Sequence, residues 1–237
     1  MEPFKSLFGI SQDTVRKNCV LMPFLPPEAL KVFDIKDLSR GAVFSAASNE
    51  ETTVIKTGIG AGFVGDAVLY LQATPCTNIF FLGSCGLINQ TLALAIGDLI
   101  LPRSALGFES ISAIINNCLP ESQAAFPDND LYARFQATLS PAPHTGHCVS
   151  FASLHEEEKH LALFNQLDAD IIEMECAALF LAARKTGKKA LALLYISDIL
   201  GKTRFFEQLS PDNKKRLSAG AKQAALHIKT FIEQDHR

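Results

Sequence analysis

The sequence predicts an α/β fold, one sheet covered on both faces by helices. Three observations point there. Strands and helices alternate along the chain. Two of the strands, Asn78–Leu82 and Ala190–Ile196, are apolar runs that read as buried. A long amphipathic helix ends the chain: Leu217, Ala221, Ala224, Ile228 and Phe231 repeat at helical spacing.

The elements follow in order. Cys19–Pro23 is the first strand, ended by Pro23, Pro26 and Pro27. Glu28–Phe33 starts a helix just after Pro27, a residue suited to the first helical position. Ala42–Ala47 and Thr53–Lys56 form a strand pair around the turn Ser48–Glu51. The glycine-rich bend 57–62 leads into a helix that carries Val64, Val68, Leu71 and Gln72. Asn78–Leu82 runs into a second tight turn, Gly83-Ser84-Cys85-Gly86, and Asp98–Pro102 is a further short strand. Residues 107–145 are proline-rich and offer one helix, Asn129–Leu139. Val149–Leu154 reads as a strand and Glu156–Leu167 as a helix. A helix begun at Glu173-Met174-Glu175 runs to Thr186 and stops at Gly187. Ala190–Ile196 delivers Ser197-Asp198 at its C-terminal end. The last helix is capped by Ser210, with Pro211 and Asp212 in its first turn.

Composition bounds the function classes. A chain of 237 residues with 48% hydrophobic and 20% charged residues builds its own core and is not disordered. The formal charge, 22 − 25 = −3, argues against binding nucleic acid by charge alone. No linker or internal repeat divides the chain, so residues 1–237 are expected to form a single domain. Residues 67–97 carry no charge, but Gln72, Thr74, Pro75, Asn78 and Asn89 interrupt them, and no membrane span is expected. The six cysteines show no metal-ligand spacing and sit in apolar surroundings. Buried, reduced thiols and a cytoplasmic location are expected.

Ligands of open α/β sheets bind beyond the carboxyl ends of the strands. Pro23–Glu28, Thr57–Gly62, Gly83–Gly86 and Ser197–Asp198 end strands there, and Glu173-Met174-Glu175 opens a helix. Gly58-x-Gly60-x-Gly62 is not a dinucleotide fingerprint, because Phe63 stands where the third glycine is needed, and there is no Walker lysine. Its function is either a tight turn or close approach of backbone to a ligand. Cys85 has no neighbouring cation or histidine to activate it as a nucleophile. Glu173 and Glu175 would point about 200° apart on a helix, so at most one faces a shared pocket. Asp198, after a buried strand, is either a loop cap or a proton donor with a raised pKa. His144-x-x-His147 with Cys148 lacks further ligands, so no metal is expected.

Taken in order, these motifs resemble a known family. Thr57-Gly58-Ile59-Gly60, Gly83-Ser84-Cys85-Gly86, Gly97-Asp98, Glu173-Met174-Glu175-x-Ala177-Ala178 and Ser197-Asp198 are similar in order and spacing to the nucleoside phosphorylase and nucleosidase superfamily. The resemblance implies a three-layer sandwich with a central mixed sheet flanked by helices. Phosphorylases of the group carry a G-D-P-x-R turn after the first strand and an arginine just before the glycine-serine motif. Here those places hold Phe24–Glu28 and Phe81, so the phosphate-neutralising arginines are missing. The resemblance is therefore nearer to methylthioadenosine/adenosylhomocysteine nucleosidases and futalosine hydrolases, which carry a glutamate after the first strand, here Glu28.

The resemblance implies hydrolysis of a purine N-ribosidic bond through an oxocarbenium-like state, with no cofactor or metal. Glu175 would hold the ribose hydroxyls, Met174 would pack on the sugar, and Asp198, beside Ser197, would protonate the purine at N7. Glu28 would take the proton of the attacking water, and Gly60 and Ser84 would border the sugar and water. Phe151, Leu154 and His155, in the segment 151–155, would stack on and hydrogen-bond the base, although relatives carry Phe near the place of His155. A rival reading is phosphorolysis with charge from Arg40 or Arg103; another is a non-catalytic nucleoside binder. By resemblance a homodimer is expected. Phe108, Phe126, Phe205 and Phe206 are either lining of a 5′ pocket or core.

Overall fold

The computed structural model describes residues 3–120, 122–205 and 207–235. The elements are, in chain order, α1 (Pro3–Phe8), β1 (Asn18–Met22), α2 (Pro27–Val32), β2 (Ser39–Arg40), β3 (Ser45–Ser48), β4 (Thr52–Lys56), α3 (Ala61–Tyr70) and β5 (Asn78–Leu87). Then come β6 (Leu99–Phe108), α4 (Ile111–Ile115), β7 (Ala124–Ala125), α5 (Asn129–Thr138) and β8 (His144–Phe151). The chain ends with α6 (Leu161–Gln166), β9 (Ile171–Glu173), α7 (Cys176–Thr186), β10 (Lys189–Ile199) and α8 (Pro211–Asp235).

The strands form one mixed sheet flanked by helices, as the sequence implies. The parallel part runs β4–β1–β5–β10, and β3 and β2 extend it antiparallel beyond β4. β10 also meets β6, which continues through β8 and β9 back to β5. The strands β5, β10, β6, β8 and β9 thus close on themselves as a small barrel, which leaves these strands no free edge. β7 pairs with β6 on the outside of this ring.

Alternation along the central strands explains the two helical layers. Cys19 and Leu21 of β1, Phe81 of β5 and Ala192 and Leu194 of β10 face α3 and α7. Val20 and Met22, Phe80 and Leu82, and Leu191 and Leu193 face α2, α5 and α8. Successive side chains of a strand point to opposite faces, so a strand buried on both sides must be apolar at every position. A third apolar cluster, with Phe108, Val149, Phe151, Phe164 and Ile172, packs the barrel against α6.

Two strands differ from the sequence reading in a way that shapes the site. Gly83–Gly86 is not a turn: β5 runs straight through it to Leu87, paired residue by residue with β10. β10 likewise continues past Ile196, so Ser197 and Asp198 lie within the strand. The register shifts between Ile196 and Asp198, where Ser197 is an extra residue. Such a bulge re-aims the side chains around it.

Candidate active site

A cleft of about 490 Å³ opens at the carboxyl ends of β1, β5 and β10 and beside β9. Phe24, Ile59, Leu154 and Phe205 line it, and Glu157, Glu173, Glu175 and Asp198 contribute four acids. No lysine or arginine lines it among the described residues.

Each acid is placed by a different device. Glu173 ends β9, and its carboxylate is filled by four donors: Ser150 Oγ at 2.5 Å, Cys148 Sγ at 3.3 Å, and the amides of Glu175 at 2.6 Å and Cys176 at 2.8 Å. It satisfies the otherwise unpaired amides at the start of α7 and fixes that helix to β8. Glu175 sits at the N-cap of α7. Its Oε1 accepts the Gly60 amide at 2.5 Å and its Oε2 the Met174 amide at 3.3 Å. Gly60 has φ +109°, a conformation that side chains other than glycine's rarely adopt, so a glycine there aims the amide at Glu175. A carboxylate offers about four acceptor positions, and Glu175 keeps the remainder for the cleft.

Asp198 is carried in by the bulge. Its Oδ1 lies 2.6 Å from Ser197 Oγ, which is also 3.2 Å from the Cys85 carbonyl oxygen. Opposite stands Gly86, where a Cβ would lie 2.7 Å from Asp198 Oδ2. A glycine at this place in β5 is thus a condition of the acid's position.

Burial tunes three of these acids upward. It raises the Asp198 pKa, with the Ser197 hydroxyl acting in the opposite direction. It raises Glu175 as well, helped by the charge of Glu173. Glu157 is pushed up to about 8 by burial and then by the charges of Asp198 and Glu158. Burial also holds the Cys85 thiol well above its ordinary range, so Cys85 is no thiolate nucleophile.

A family model described as the phosphorylase superfamily matches residues 28–233. The chain belongs to the phosphorylase superfamily. No curated sequence matches it. Among solved structures, the 5′-methylthioadenosine/S-adenosyl homocysteine nucleosidase of Campylobacter jejuni is similar with a TM-score of 0.74 and 17% identity, over 92% of this chain and 99% of that one. A uridine phosphorylase of Vibrio fischeri gives 0.74 and 18%, over 94% and 95%. An AMP nucleosidase of Bacteroides thetaiotaomicron gives 0.66 and 23%, over 91% and 90%. Nucleosidases and a phosphorylase thus share this fold.

Within this superfamily fold, the structure brings together Ser84, Leu154, Met174, Glu175, Ser197 and Asp198 around one cleft. Gly60 reaches it through its amide on Glu175. Three expected residues stand elsewhere. Phe151 is fully buried and packs edge-on against Phe164 at 5.1 Å, because as the last residue of β8 its side chain points inward. His155 is 83% exposed in its side chain and its ring lies 2.7 Å from Glu156; it borders a neighbouring cleft rather than this one. Glu28 lies in the first turn of α2, 42% exposed, with its carboxylate 3.3 Å from Lys31 one helical turn on, and it is not among the lining residues. Arg40 is exposed on β2, and Arg103 lies 3.4 Å from His147; neither reaches the cleft. Of the four phenylalanines, Phe205 lines the cleft, Phe108 is core, Phe126 borders a separate groove with Phe180 and Arg184, and Phe206 lies outside the described residues.

His144 and His147 do not join Cys148; His147 Nδ1 is 2.7 Å from Ser104 Oγ instead. One buried group, Cys148, Glu173 and Cys176, has donor atoms within 4.8 Å of one another. Its hydrogen bonds to Glu173 account for that closeness. Sequence reasoning missed Glu157 and Ile59. Glu157 is the middle of Glu156-Glu157-Glu158, a run that reads as a solvated face. A 3-10 turn over Glu157–His160 turns the middle acid inward, and no local signal marks it.

Proposed function

We propose that this cleft hydrolyses the N-ribosidic bond of a purine nucleoside, releasing free base and sugar. The observation that carries the reading is the acid-only lining: four carboxyl groups and no lysine or arginine among the described residues. Cleavage develops positive charge on the ribose, which carboxylates stabilise, and negative charge on the leaving base, which a protonated acid neutralises. An incoming phosphate dianion would meet acids and no cation.

The roles follow from placement. Glu175, anchored by the Gly60 and Met174 amides, accepts the ribose hydroxyls and faces the developing cation. Asp198, whose pKa burial raises, is the acid placed to give a proton to N7 as the C1′–N9 bond breaks. Water adds its oxygen to C1′, and its proton restores Asp198. Glu28 takes part only if its side chain leaves Lys31 and turns into the cleft. A general base contributes about 10²- to 10⁴-fold, so Glu28→Gln lowers turnover by that much in this role and leaves it unchanged otherwise.

The substrate class is a 5′-modified purine nucleoside of the methylthioadenosine, adenosylhomocysteine or futalosine type. Phe24, Ile59 and Phe205 give the cleft apolar walls, which suit the apolar part of such a 5′ substituent better than a 5′-phosphate. Ile59 and Phe63, each about half exposed beside the cleft, suit a homodimer in which a second copy covers the opening. Sedimentation of the purified chain reads that state.

The test is incubation with methylthioadenosine, adenosylhomocysteine, futalosine, inosine and adenosine, with and without phosphate, following free base by chromatography. Phosphate-independent release is expected. Release that requires phosphate and yields ribose 1-phosphate refutes the reading in favour of phosphorolysis; tight binding without release refutes it in favour of a binding protein.

A further inference from the structure

Glu157 is the one acid of the cleft that none of the roles above uses. It is only 7% exposed. Glu173 and Glu175 are held by backbone amides, and Asp198 by Ser197. The Glu157 carboxyl makes no hydrogen bond with any described residue. No fully buried side-chain oxygen or nitrogen among the described residues lacks a partner. The carboxyl oxygens of Glu157 therefore reach open space, and Glu157 lines this cleft. A side chain more than nine-tenths buried, polar and unpartnered is costly unless a ligand completes it.

Its place in the cleft says which part of a ligand it meets. Leu154, Glu157, Asp198 and Phe205 form the boundary with a second cleft, which continues toward Gly201, Thr203 and Arg204. Phe24, Ile59, Met174 and Glu175 line only the first. Asp198 and Glu157 thus share the boundary and Glu175 does not, and the nucleosidase reading assigns Glu175 to the sugar and Asp198 to the base. The two carboxyl groups are close enough for the charge of Asp198 to raise the Glu157 pKa.

We propose that Glu157 reads the edge of the base beside Asp198, and so selects purines with an amino or oxo group at position 6. The inference rests on the nucleosidase reading for the orientation of the ligand. Along that edge a purine presents N7 and, next to it, the 6-substituent: a donor in adenine, an acceptor in hypoxanthine and guanine. With Asp198 on N7, the neighbouring carboxyl meets the 6-substituent. A carboxylic acid carries one O–H donor and one C=O acceptor, so it completes either group. A purine bare at position 6 leaves Glu157 buried and unpaired, and a site built to hydrogen-bond a group rejects the analogue that lacks it. Arg204 does not compete, since its guanidinium is engaged by both oxygens of Glu158, at 2.8 and 2.9 Å.

The test measures binding of adenine, hypoxanthine and unsubstituted purine by calorimetry, in the wild-type chain and in Glu157→Leu and Glu157→Gln. The wild type is expected to bind adenine and hypoxanthine about 10- to 100-fold more tightly than purine. Glu157→Leu removes that difference. Glu157→Gln, which keeps one donor and one acceptor, retains most of it. Equal binding of the three bases by the wild type overturns the inference, whatever the variants do, and so does a preference that persists in Glu157→Leu. Nucleoside cleavage is scored separately. Base discrimination without cleavage of any nucleoside keeps the role of Glu157 and removes the hydrolytic reading; cleavage without discrimination does the reverse.

Discussion

Replacing Glu157 by glutamine should make the free protein more stable, and increasingly so as pH rises. The folded chain holds this carboxyl with a pKa of about 8, against an ordinary glutamate value of 4.5. Burial sets the direction and the neighbours add to it: Asp198 on β10 and Glu158 beside it are acids, and the nearby Arg204 is paired with Glu158. Between pH 4.5 and 8 the folded state keeps a proton that the unfolded state has released. The folded state binds more protons, so stability falls as pH rises through that window. Each pH unit is worth about 1.4 kcal/mol, so at neutral pH the acid costs up to about 3 kcal/mol. Glutamine has no proton to hold and removes the term. For a chain of this size that is a rise in Tm of up to about 10 °C at pH 7, vanishing toward pH 4.5. Urea or thermal unfolding of both proteins at about pH 5, 7 and 8.5 reads it. If the two stability curves run parallel across pH, or the variant is the weaker at every pH, Glu157 is not the buried, proton-holding acid described above.

Other consequences follow from the same geometry. Glu173→Gln places an amide donor among four donors, so it should lose about 2–4 kcal/mol in calorimetry together with the alignment of Glu175; an unchanged Tm would mean that Glu173 does not organise the start of α7. Gly86→Ala puts a Cβ 2.7 Å from Asp198 Oδ2 and 3.0 Å from Ile172 Cγ2. It should cost about 1–3 kcal/mol and most of the turnover, and full activity would show that Asp198 has room to move. Asp198→Asn should lower kcat about 10²- to 10⁴-fold on purine nucleosides, and far less on a riboside whose leaving group departs without a proton. Equal losses on both substrates would remove Asp198 as the proton donor.

Much of the fold was legible because its signals are local and repeated. The apolar strands, the capped last helix and the stop at Gly187 each have a sequence cause that tertiary structure does not override. Asn213 does donate to Ser210 Oγ at the start of α8, at 3.2 Å, as the cap predicts. The errors have a common source in pairing. Gly83–Gly86 carries the local marks of a turn, yet β10 pairs with every residue of it, and its glycines give room for Phe81 and Asp198. β8 begins at His144 rather than Val149 because β6 lies alongside and supplies partners for a polar stretch. At the site, Glu175, Asp198 and Leu154 line the cleft as expected, whereas Phe151 and His155, from the same segment as Leu154, do not. Phe151 and Leu154 are separated by the end of a strand, and which of them faces the cleft depends on where β8 stops. Glu157 was invisible for the opposite reason: its neighbours Glu156 and Glu158 make it look solvated, while they themselves pair with Lys159 and Arg204.

Burial raises Glu175, Asp198 and Glu157 alike, and their partners differ. Without partners, burial would keep every carboxyl neutral. The Gly60 and Met174 amides pull Glu175 toward its ionised form, against the burial and the Glu173 charge that push it up to about 8, and no amide does so for Glu157. Positive charge that develops beside Glu175 favours its ionised form further. A neutral nucleoside enters without charge cost, and the charges appear only as the bond breaks: positive beside Glu175, negative beside Asp198. Stabilisation that exists only at that moment raises the rate without tightening the substrate complex. A nucleophile that arrived already charged would forfeit this, since its negative charge would meet the acids in the ground state as well. The arrangement of Glu175, Asp198 and Glu157 in one cation-free cleft therefore favours water, a neutral nucleophile.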